Sequence, residues 1–85
     1  MDKIITDDKS FQTKDYCLAA ALIASGQKLQ KLKWRGTVAF FVFDKLIECS
    51  DLTQSYKNNN LSVKAWDFTL ALKEVKLRLY ARKEY

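Results

Sequence analysis

The run Thr37-Val38-Ala39-Phe40-Phe41-Val42-Phe43 constrains the fold more than any other stretch of this chain. It is β-branched and aromatic almost throughout, a composition that fits a pleated, half-buried surface. Lys28 to Trp34 lies just upstream, joined to it by Arg35-Gly36. The three pieces predict a β-hairpin with a two-residue loop, Gly36 supplying a positive φ. That register sets Trp34 opposite Thr37, Leu32 opposite Ala39 and Gln30 opposite Phe41 on one face. The other face pairs Lys33 with Val38, Lys31 with Phe40 and Leu29 with Val42. The first face is the more apolar and is expected to meet the core, the second to be half wet. A slip of one residue would exchange the two.

A lone hairpin is marginal in water and leaves two unpaired edges. The rest of the chain supplies helices to cover it. The apolar run from Tyr16 to Gly26 predicts the first in preference to a strand, because of its four alanines and few β-branched residues, with Thr13 as N-cap, Asp15 near the positive end of the dipole and Gly26 at the left-handed stop. Asp44 to Lys57 predicts the second, capped by Asp44 and liable to interruption at Ser50-Asp51. Asn58-Asn59-Asn60 then forms a turn, because asparagine tolerates positive φ. Ser62 is the expected cap of the last helix. Its seam is Leu61, Ala65, Phe68, Leu72, Val75 and Leu79, widened by Trp66, Leu70 and Leu77. So broad a stripe suits packing on a hairpin and other helices better than a two-stranded coiled coil.

The 85 residues leave room for one domain. The expected fold is thus a small single α+β domain of order α-β-β-α-α over residues 13–85, with residues 1–12 a flexible acidic tail. The first ten residues do not resemble a secretion signal, and the apolar run Cys17 to Ala24 is far short of the roughly 20 residues that span a bilayer. Cys17 and Cys49 sit in apolar helical patterns and read as small buried hydrophobes of a reducing compartment. A cytoplasmic protein with no membrane association is expected.

Chemistry is sparse. There is no histidine, which removes the usual general base and the commonest metal ligand. The two cysteines match no zinc spacing, and two glycines ten residues apart make no phosphate loop. The adjacent carboxylates Asp7 and Asp8 fall in the expected tail. No enzyme activity, cofactor, metal or small-molecule substrate is expected.

Charge is more informative. The net +5 is uneven: residues 28–45 carry five cations against Asp44 alone, a local +4. Lys28, Lys31, Lys33, Trp34 and Arg35 form the candidate nucleic-acid-binding set. A ribbon of cations with an aromatic near its turn can follow a phosphate backbone and stack on a base, of either DNA or RNA. The competing explanation is that these lysines guard an edge strand against aggregation. The alternative function is a protein–protein adaptor, a homodimer joined through Phe40 or Leu79, or a small phage-type inhibitor of a host protein.

Thr13, Asp15, Leu18-Ala19-Ala20, Gly26, Leu29 and Phe41-Val42-Phe43-Asp44 form a pattern with Leu52, Tyr56, Asn58, Val63, Phe68, Ala71-Leu72-Lys73-Glu74 and Lys76. It resembles a family of short bacterial and phage-related proteins known only as a domain of unknown function. The resemblance spans about residues 13–80 and departs at Asn59, where glycine is expected, and in the lysine-rich first strand. It implies a shared fold, transfers no site residues, and suggests a mobile-element setting.

Overall fold

A computed structural model describes residues 10–81 of the chain. Its elements are β1 (Phe11–Thr13), α1 (Tyr16–Ala24), β2 (Leu29–Arg35), β3 (Val38–Phe43), α2 (Leu46–Lys57) and α3 (Ala65–Ala81). The strands form one antiparallel sheet of order β1-β3-β2. The domain is therefore α+β, in the order β-α-β-β-α-α. The extra element is β1, which pairs Phe11 with Phe43 and Thr13 with Phe41. Phe11 and Gln12 thus belong to the sheet and not to a tail; residues 1–9 of the expected tail lie outside the described residues.

The hairpin register differs from the expected one by two residues: Trp34 opposes Ala39, Leu32 opposes Phe41, Lys33 opposes Phe40 and Arg35 opposes Val38. The loop is Gly36-Thr37, and Gly36 has φ +62. Positive φ at the first loop position alone matches a type II′ turn. A loop of Arg35-Gly36 in the type I′ form would have forced arginine into that region as well. An even shift preserves the faces, because the side-chain period is two. Phe41 and Phe43 accordingly enter the core.

A bulge between Leu29 and Lys31 breaks the alternation and sets Leu29 opposite Phe43. Leu29 was expected on the wet face; the extra residue turns it inward, where it packs with Leu32 against the core. The core joins Leu22 of α1, Cys49 of α2 and Val75 of α3 to Phe41 and Phe43, so all three helices cover the same sheet face.

The helix ends follow from local chemistry. Asp15, not Thr13, is the N-cap of α1: its Oδ1 accepts from the amides of Cys17 at 3.0 Å and Leu18 at 3.2 Å. Thr13 Oγ1 accepts instead from the Asp15 amide at 3.1 Å. Gly26, at φ +103, closes the helix as expected, with its amide donating to Ile23 O and that of Gln27 to Leu22 O. The same motif ends α2. Asn59 takes φ +61, and the Asn60 amide donates to Ser55 O at 2.8 Å. Two helix starts differ from the expected ones. Lys45, with no side-chain cap bond, precedes α2 instead of Asp44, and α2 runs unbroken through Ser50-Asp51. Ser62 lies three residues before α3, too far to cap it; the first-turn bond runs from the Phe68 amide to Lys64 O.

Candidate nucleic-acid interface

Alternation along β2 places Lys31, Lys33 and Arg35 on the sheet face turned away from the helices, and all three are exposed. Their register partners are Val42, Phe40 and Val38. The Arg35 guanidinium lies 5.7 Å from the centroid of the Phe40 ring, within cation–π range. Lys33 opposes the same ring across the ladder. A half-buried aromatic is thus bracketed by two cations on a sheet face. Val42 is buried between its register partners Gln12 and Lys31, giving the surface an apolar floor.

The other two residues of the expected set stand apart. Trp34 shares the helix-side face with Ala39 and Leu32, so it cannot stack on a ligand held by the three cations. Phe40 is the aromatic of this surface instead; it was expected only as an interface residue. Lys28 lies beyond the bulge, in a polar cleft of about 250 Å³ with Gln27, Asp44 and Lys45. Leu79, the other expected interface residue, sits on the core side of α3 and packs against the cluster. The parity of the hairpin puts Phe40 on the cation face and Trp34 on the other, although Trp34 adjoins Arg35 in sequence.

Within the described residues, no group of three or more cysteine, histidine, aspartate or glutamate side chains could hold a metal ion. Both cysteines are free, Cys17 half-buried and Cys49 buried. Burial, reinforced by the carboxylates of Glu48 and Asp44, pushes the Cys49 thiol up to about 11. It is the opposite of an activated nucleophile. No helix of the described residues is long and apolar enough to cross a membrane.

Fold and surface together define a small α+β domain whose three helices cover one sheet face while the other presents a basic ladder. The chain belongs to the family described as a domain of unknown function, DUF5659, whose model matches residues 8–81. No curated protein and no solved structure matches it.

Proposed function

We propose that the protein is a non-enzymatic, nucleic-acid-associated binding module that uses the helix-free face of β2 and β3. The observation that carries this reading is the ladder of Lys31, Lys33 and Arg35, all exposed on one face around the Phe40 ring. Alternate residues of a strand stand roughly 7 Å apart, close to the spacing of successive phosphates in a nucleic-acid strand. Three cations at that interval can follow a backbone, and Phe40 supplies a ring on which an unpaired base can stack. The same lysines would protect β2, an edge strand of the sheet, from pairing with other chains. A mobile-element or phage setting accords with this reading, as does a cytoplasmic location.

Fluorescence anisotropy with labelled single- and double-stranded DNA and RNA tests it. Lys31→Gln with Lys33→Gln should weaken binding at least tenfold without changing the melting temperature, since both residues are exposed. Phe40→Ala should weaken single strands more than duplexes, by about 1–3 kcal/mol. Unchanged binding in the double glutamine variant would end the proposal.

A further inference from the structure

Helix α3 has two apolar faces. Phe68, Leu72, Val75 and Leu79 meet the core. Trp66, Leu70, Leu77 and Tyr80, centred on the opposite side, are 63%, 46%, 67% and 61% exposed. They recur at spacings of four and three with Lys73 at the midpoint, the pattern of a helix that packs along a second helix. Core burial explains the first stripe and leaves the second without a role.

We propose that this face pairs antiparallel with α3 of a second copy of the chain, forming a weak, reversible homodimer. A two-fold axis between Lys73 and Glu74 brings each Leu70 against the partner's Leu77, twice over. It also brings each Lys73 beside the partner's Glu74, whose carboxylate already holds Arg78 of its own helix at 3.2 Å and would be shared between the two cations. The Lys73 ammonium lies 5.9 Å from the centroid of the Trp66 ring, which keeps it on the exposed stripe. The β2 edge is a poorer route. Pairing β2 with a second β2 so that Lys31 opposes either Lys33 or Arg35 sets cation against cation. The four exposed side chains offer roughly 500 Å² per copy, given about 150–250 Å² for a large aromatic. A stable interface buries about 800 Å² per partner, so the dimer should form near about 100 µM and not at nanomolar concentration. The proposal is independent of the nucleic-acid reading and uses a different surface.

Sedimentation equilibrium from about 10 µM to about 1 mM tests it, with amide NMR shifts followed over the same range. The expected result is a monomer–dimer equilibrium, with concentration-dependent shifts centred on Trp66, Leu70, Lys73 and Leu77. Leu77→Glu removes both leucine layers and should weaken the dimer at least about 30-fold. Lys73→Glu should weaken it by roughly 3- to 10-fold, and adding Glu74→Lys should restore it. A monomer at about 1 mM with no shifts would overturn the proposal. So would a dimer insensitive to Leu77→Glu. Failure of the charge swap to restore a dimer weakened by Lys73→Glu would overturn the antiparallel register.

Discussion

The Cys49 thiol lies in the core with no exposed surface, and its Sγ donates to Gln27 Oε1 at 3.7 Å. Its pKa is held near 11 against an ordinary 9.0, first by burial and then by Glu48 and Asp44. Unfolding frees the thiol to ionise near its ordinary value, so above pH 9 the unfolded chain binds fewer protons than the native one. Stability from this group is therefore complete below pH 9 and falls as pH rises to about 11. Two pH units correspond to about 3 kcal/mol, with about half lost by pH 10. Cys49→Ala isolates the effect. Below pH 9 the variant should be less stable by about 1 kcal/mol, for the lost sulfur contacts. Between pH 9 and 11 the wild-type protein should lose its lead and fall below the variant. Urea denaturation at half-unit intervals from pH 7.5 to 11, under reductant, measures the difference directly. A gap between the two proteins that stays constant across that range would refute the reasoning, since every other titrating group is common to both.

Two further expectations concern packing and backbone. Asn59→Ala should destabilise by roughly 1 kcal/mol in urea titrations, because alanine tolerates the φ of +61 poorly, while Asn59→Gly should hold stability. The two faces of α3 should differ sharply in thermal melts: Val75→Ala, fully buried, should cost about 2 kcal/mol, and Leu77→Ala should stay within about 0.5 kcal/mol.

The parts of this fold legible in the sequence are those governed by short-range chemistry. Gly26 and the asparagine turn mark helix ends because positive φ restricts the choice of residue. The Val38–Phe43 strand announces itself by composition, and its faces are those expected because the observed register differs by an even number of residues. What escaped depends on partners. Strand β1, at three residues, is too short to show a period and exists because β3 has a free edge. The bulge at Gln30 has no glycine to signal it, yet it decides that Leu29 enters the core. The widened stripe of α3 split between two faces because, at 100° per residue, Trp66, Leu70 and Leu77 lie opposite the seam. The candidate site was legible as a segment but not as a surface. Five neighbouring residues were expected to act together, and strand alternation and the bulge leave three of them on one face.

The salt dependence of nucleic-acid binding tests the central claim most directly. If Lys31, Lys33 and Arg35 each meet a phosphate, log Kobs should fall linearly with log salt, with a slope of about −2 to −3. Replacing Arg35 with glutamine should reduce that slope by close to one, whereas Trp34→Phe should leave it unchanged. Binding with a slope near zero, or none at micromolar protein in low salt, would contradict the account.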